Sequence, residues 1–183
     1  MSILKIARIG HPILLKRAKP IIKIKKSSLK QLLTDMTETL LDAEGIGLAA
    51  PQIHENKRII IFHVPEQNNH ESSSKSKNII KIEALINPTF KNNTDEFEDD
   101  WEGCLSIPRM LGKVRRYRKI TYEGYDIKGN LIKKEAEGLH ARIIQHECDH
   151  LDGILYTSKL VDKKYFGFVD EINTYLRDEK TRY

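Results

Sequence analysis

The sequence predicts an α+β fold: a single domain of mostly antiparallel strands packed around a central helix, with one helix towards the N-terminus and another towards the C-terminus. Three observations lead there. Three segments repeat apolar residues at helical spacing, several β-rich runs are bounded by turn residues, and neither an internal repeat nor a long linker divides the 183 residues. That length suits one domain with a substantial core.

Residues 3 to 24 lack clean periodicity, and Gly10-His11-Pro12 and Pro20 break them into turns or extended pieces. Ser27-Ser28 offers an N-cap. Leu29, Leu32, Leu33, Met36, Leu40 and Leu41 then predict an amphipathic helix over 28–43, stopped by Gly45 and Gly47. Arg58 to Val64 reads as a buried strand. The polar, serine-rich stretch 67–78 is expected to be a solvated loop insertion. Ile79 to Ile86 resumes strand character and is expected to end at Asn87-Pro88, and the acidic stretch from Asn92 to Asp100 is expected to be exposed. Val114 to Tyr125 reads as one strand with Ile120, Tyr122 and Tyr125 on its inner face, turning at Lys128-Gly129-Asn130 so that Leu131 to Lys134 pairs back. A second helix is predicted over Ala136 to Asp149, with Leu139, Ile143 and Ile144 directed to the core and Asp152-Gly153 ending it. A third is predicted over 162–177, with Phe166, Val169, Ile172 and Leu176 on one face.

Composition narrows the functional classes. The chain is 39% hydrophobic and 31% charged, a globular and not a disordered balance. No apolar run approaches the roughly 20 residues that span a bilayer, so no membrane partner is expected. Met1-Ser2-Ile3-Leu4-Lys5 does not begin a secretory signal, so the expected address is cytoplasmic. Two cysteines, Cys104 and Cys148, are too few for a disulfide framework; with histidines elsewhere in the chain, a cysteine reads better as a ligand or nucleophile. The net charge is +5, with cations clustered at Lys23, Lys25 and Lys26 and again at Lys113, Arg115, Arg116, Arg118 and Lys119. Solvated surface is the plain reading and attraction to a polyanion the sharper one. No aromatic-basic module accompanies these charges, so specific nucleic-acid recognition is not expected.

The strongest chemical signal is His146-Glu147-Cys148-Asp149-His150. On a helix, positions i and i+4 share a face, so both imidazoles can reach one metal ion, with Glu147 beside them as a general base. A catalytic metal takes a third protein ligand. Tyr156 stands where one class of zinc protease has a histidine, which leaves the downstream Glu171 or Cys104. Cys104 lies in Trp101-Glu102-Gly103-Cys104-Leu105-Ser106, where Gly103 and Pro108 suggest an extended, turning segment that can approach another element closely. Gly45-Ile46-Gly47-Leu48-Ala49-Ala50-Pro51-Gln52 has little side-chain bulk. A substrate backbone could lie against it, and Gln52 could donate an amide hydrogen bond; alone, it is a glycine-containing loop after a helix.

Together and in this order, the three segments resemble the peptide deformylase family. Gly45 to Gln52 matches its motif GxGLAAPQ, Glu102 to Ser106 its motif EGCLS, and His146 to His150 its motif HExDH. Gln145 and Leu151-Asp152-Gly153 extend the last, and the similarity runs from about residue 3 to about residue 160. The resemblance implies one metal-dependent hydrolase domain over 1–183, built round a central metal-binding helix. It would remove the formyl group from the N-terminal formyl-methionine of nascent polypeptides and release formate. It implies that Cys104 joins His146 and His150 on one divalent metal ion, usually Fe(II), with Zn, Ni or Co able to occupy the site. It further implies that Glu147 moves the proton of the metal's water, that the Gln52 side chain and the Leu105 backbone N–H stabilise the oxyanion, and that Ile46, Gly47 and Gly103 hold the substrate main chain. The partners implied are N-formylmethionyl nascent peptides; contact with the ribosome follows from that substrate and is permitted by the basic charge. Cys148 fills a position that varies in the family and should face away from the metal, about 200° round the helix from His146. Arg109 is followed by Met110-Leu111-Gly112 and is not assigned the family's substrate-side arginine role. Arg116 and Glu102 are expected to pair and support the Cys104 segment. The competing enzyme, a zinc endopeptidase using Glu171, would leave Cys104 and Gln52 without a role.

Overall fold

The computed structural model describes residues 2–65 and 80–181. The expected loop insertion at 67–78 lies outside the described residues. The architecture is α+β with antiparallel sheets. In chain order it runs α1 (Lys26–Asp42), β1 (Gly47–Ala49), β2 (Ile59–Phe62), β3 (Glu83–Asn92), β4 (Phe97–Cys104), β5 (Ile107–Tyr117), β6 (Lys119–Tyr125), β7 (Leu131–Glu137), α2 (Gly138–Leu151), β8 (Phe166–Phe168) and α3 (Val169–Thr181). Five strands form one sheet in the order β1-β2-β3-β6-β7, and three form another in the order β4-β5-β8. Among the described residues, no helix is long and apolar enough to cross a membrane.

β2 shows why the large sheet has a helix on each face. Its four apolar residues are all buried, and their side chains alternate. Ile60 and Phe62 pack with Ile144, Cys148 and Leu151 of α2, whereas Ile59 and Ile61 pack with Leu29, Met36 and Leu40 of α1. A third cluster, including Ile107, Val114 and Tyr156, lies beneath the small sheet. α2 is therefore enclosed as the central helix, with Ala141, Ile144, Cys148 and Leu151 on its apolar side.

Several boundaries differ from the sequence expectation. The acidic stretch ending at Asp100 is exposed as expected, Asp99 alone being half-buried, but from Phe97 onward it forms β4, a strand the sequence reading did not assign, paired so that Glu98 and Asp99 lie opposite Arg116 and Arg115. Opposite charges across strands stabilise that pairing. β3 continues past Asn87-Pro88 with a register shift. Asn87 takes a positive φ of 52°, and its side chain accepts from Ile21 N and donates to Ile21 O, both at 2.8 Å. The single strand expected from Val114 to Tyr125 is broken at Arg118, where the chain passes from the small sheet to the large one, and Tyr125 is exposed. Residues 166–168 are strand and not helix, because they pair with Met110–Gly112 of β5. Leu139 is 41% exposed and does not enter the core.

Candidate metal centre

A two-residue turn, Leu105-Ser106, joins β4 to β5, and Cys104 closes β4 immediately before it. The thiol is held from three sides. His150 Nε2 lies 3.2 Å from Cys104 Sγ, Ser106 N–H donates to it at 3.4 Å, and Gln52 Nε2 donates at 3.6 Å. His146 and His150 lie one turn apart on α2 with ring centroids 5.0 Å apart. Ligand atoms of Cys104, His146 and His150 all fall within 4.8 Å of one another. Glu171, the other candidate third ligand, is exposed on α3 and outside this group.

Glu102 stands two residues before Cys104, on the same face of β4. Its carboxylate accepts His146 Nδ1 at 2.9 Å, both Nε and Nη2 of Arg116 at 2.8 and 2.9 Å, and Nη1 of Arg142 at 2.8 Å. The bond to Nδ1 fixes the ring and leaves Nε2 of His146 for the site, the usual arrangement behind a ligating imidazole. Arg116 also donates to Asp149, which Lys159 meets at 2.9 Å. The pairing of Arg116 with Glu102 was expected; Arg142 was not. Its signal was available, because residues 142, 146 and 150 repeat every four positions on one helix face.

Burial and charge set the protonation states. Burial raises the Cys104 thiol, but the charges and hydrogen bonds of His150 and His146 outweigh this and hold it well below its usual range. The thiolate is the form that binds metals. Burial likewise raises Glu102, but the Arg116 and His146 hydrogen bonds prevail and hold it well below the carboxylate range. Glu147 goes the other way. Burial pushes its carboxyl up to about 7, with the two imidazoles pulling against it. Its Oε2 and the Nδ1 of His150 are buried without a hydrogen-bond partner. A thiolate, two imidazoles and an unpartnered carboxylate oxygen fit a first-row divalent metal with one water.

Beside the three ligand atoms lies a cavity of about 270 Å³ between β1, β4 and α2. Ile46, Gly47, Gly103, Leu105, Leu139 and Ile143 line it, and Gln52, Cys104, His146 and Glu147 supply its polar wall. Of the metal, catalytic and substrate-binding residues named from the sequence, His150 alone is not among its lining residues. β1 and β4 are the edge strands of their sheets. His63 N–H donates to Ile46 O at 2.9 Å, so antiparallel alternation turns the peptide groups of Gly47 to the open edge. Ala49, two residues on, confirms that direction by donating its N–H to Gln52 Oε1 at 2.8 Å. This bond also orients the Gln52 amide, whose Nε2 reaches Ser106 Oγ at 3.1 Å. Gly47 has a steric role as well: a Cβ there would lie 2.8 Å from Cδ of Glu147. Cys148 is 3% exposed in the apolar core.

A family model described as polypeptide deformylase matches residues 3–165. The chain is 43% identical to peptide deformylase 1 of Bordetella pertussis, over 90% of this chain and 92% of that relative. Among solved structures, the peptide deformylase of Thermotoga maritima matches with a TM-score of 0.77 and 32% identity, covering 88% of this chain and 100% of that one. A Met-Ala-Ser-bound class I type b peptide deformylase from Acinetobacter baumannii matches with a TM-score of 0.76 and 31% identity, covering 87% and 100%.

Proposed function

The chain belongs to the peptide deformylase family, metal-dependent enzymes that remove the N-formyl group from nascent polypeptides, and we propose that it does so with one divalent ion on Cys104, His146 and His150 and with Glu147 as proton carrier. The observation that carries this assignment is the convergence of three ligand atoms within 4.8 Å beside a buried, unpartnered carboxylate oxygen. When bound, the metal acts as a Lewis acid that brings the pKa of a water into the physiological range. The chain's own residues account for the rest. A carboxyl poised at about 7 can accept a proton and later return it to the departing amine. Gln52 Nε2, oriented through Ala49 N–H, and the backbone N–H of Leu105 donate to the oxyanion that develops from the formyl oxygen. Removing one such donor typically costs about 3 kcal/mol, on the order of a hundredfold in rate.

Substrate main chain is held by the open edges of β1 and β4, through Gly47 and Gly103 and through the N–H of Ile46, whose carbonyl is taken by His63. Edge pairing reads backbone and tolerates varied sequence, which suits a substrate class as broad as nascent chains. Ile46, Leu105, Leu139 and Ile143 offer apolar surface to a methionine side chain. The neighbour bound to Met-Ala-Ser supports a peptide that begins in this way. The working metal is Fe(II) in this reading, the place of action is the cytoplasm, and the substrate brings the enzyme to the ribosome.

The test is formate release from a formyl-methionyl peptide beside metal content per chain. Gln52→Ala should keep its metal and lose on the order of a hundredfold in kcat. With Fe(II) on a thiolate, activity should decay in air and Ni or Co should slow the decay; indifference to oxygen would point to Zn.

A further inference from the structure

Residues 1–34 contain nine lysines and arginines and no aspartate or glutamate. The whole chain is +5, so the remaining residues carry −4. The structure lays the second half of this segment down as a fixed ribbon. Ala18 N–H donates to Leu151 O at 2.8 Å and Arg58 N–H to Lys19 O at 2.9 Å. Asn87 clamps both peptide groups of Ile21, Ile24 packs against the core under α1, and the chain enters α1 at Lys26. With the backbone pinned, Lys16, Arg17, Lys19, Lys23, Lys25, Lys26 and Lys30 all remain exposed. Among the described residues, Arg17 alone of these has a carboxylate partner, Asp152 at 3.4 Å.

Local stability does not explain the cations at the start of α1. Lys25 is the N-cap of α1 and Lys26 its first residue, with no acid in the first turn. The positive end of a helix dipole favours carboxylates there and disfavours cations. The segment also contains no Phe, Tyr or Trp. Without these aromatics the segment offers little for base stacking, so it fits the phosphate backbone of a nucleic acid better than its bases. Lys16 to Lys25 is, moreover, not α-helical. Its exposed apolar residues, Leu15 and Ile22, are separated by a stretch containing three cations.

We propose that the ribbon from Lys16 to Lys30 docks on the phosphate backbone of structured RNA. This rests on the reading above, because a nascent chain is presented by an RNA-rich particle. The ribbon crosses the C-terminal end of α2 at Leu151, whereas Leu139 lines the cavity near the N-terminal end. Twelve residues of helix separate the two, roughly 18 Å. The cavity itself reaches along α2 to Glu147, four residues from Leu151, and no residue of the ribbon lines it.

The test titrates the full chain with a short RNA duplex over a range of salt. The variant Lys23→Ala/Lys25→Ala/Lys26→Ala should bind at least about tenfold more weakly at low salt, and its log K against log salt slope should fall by about 3. Its melting temperature should not drop, and it should release formate from a short formyl-methionyl peptide at the parent rate. A control, Lys91→Ala/Lys128→Ala/Lys133→Ala, removes three exposed lysines from β3 and the β6–β7 hairpin and should bind RNA as the parent does. Undiminished RNA binding by the ribbon variant, an equal loss in the control, or a parent that binds phosphatidylglycerol vesicles in preference to RNA would each overturn the proposal. Failure of the parent to release formate would instead strike the deformylase reading, whatever the RNA result.

Discussion

The two sides of α2 are both buried, yet they solve burial in opposite ways. Ala141, Ile144, Cys148 and Leu151 press apolar atoms into the large sheet. Arg142, His146, Glu147, Asp149 and His150 face the small sheet and the cavity, also largely out of water. There Arg142 and Asp149 are paired with opposite charge and His146 is bonded to Glu102, while Glu147 Oε2 and His150 Nδ1 have no partner. The two cysteines report the same contrast. Imidazoles hold Cys104 well below its usual range despite burial, whereas burial alone dominates at Cys148 and pushes it up to about 12. Burial by itself thus does not decide whether a group is inert; its charged and hydrogen-bonding neighbours do.

The largest effect should come from removing the thiol on the polar side. Cys104→Ala is expected to abolish formate release and to lose the metal. Equal damage from Cys148→Ala would erase the distinction between the two sides. Next comes the charge that orients His146. Glu102→Gln should weaken metal retention about tenfold to a hundredfold in a chelator competition. It should also lower stability by about 3 kcal/mol or more by denaturant titration, because Arg116 and Arg142 lose a buried counter-charge; an unchanged metal affinity would show that His146 needs no support. Gly47→Ala should keep its metal and lose roughly tenfold to a hundredfold in kcat, since the new methyl must displace the Glu147 carboxyl. Retained kcat would mean that this carboxyl can move freely. The smallest effect is Cys148→Ala itself, about 1 kcal/mol of stability with metal and turnover intact.

The polar side of α2 was more legible in sequence than its surroundings. Helical periodicity alone puts His146 and His150 on one face and turns Cys148 from it, because both follow from angles within one element. Leu139 obeys the same periodicity but lies near the helix start, where no neighbour covers it, so the pattern sent it to the core and the fold left it at the cavity. β4 was missed for a related reason. Phe97-Glu98-Asp99-Asp100 reads only as exposed acidic chain until Arg115 and Arg116 are known to lie across from it, and that register is a tertiary fact. β8 depends in the same way on β5, since Phe166 and Phe168 fit a helical face as well as a strand edge. Likewise, periodicity could not choose between Cys104 and Glu171 as third ligand; that choice rested on the resemblance until the β4–β5 turn was seen to bring Cys104 to His150.

Proton transfer by Glu147 without metal coordination is the centre of this account, and Glu147→Gln tests it most directly because it keeps the shape and removes the base. Metal per chain and kcat should be measured together on the same preparation. Glu147→Gln should keep a full metal complement and near-normal affinity for a formylated peptide, with kcat lower by at least about two orders of magnitude. A metal-free Glu147→Gln protein would make Glu147 a ligand, and a metal-loaded, fully active one would place the base elsewhere; either result would contradict the account.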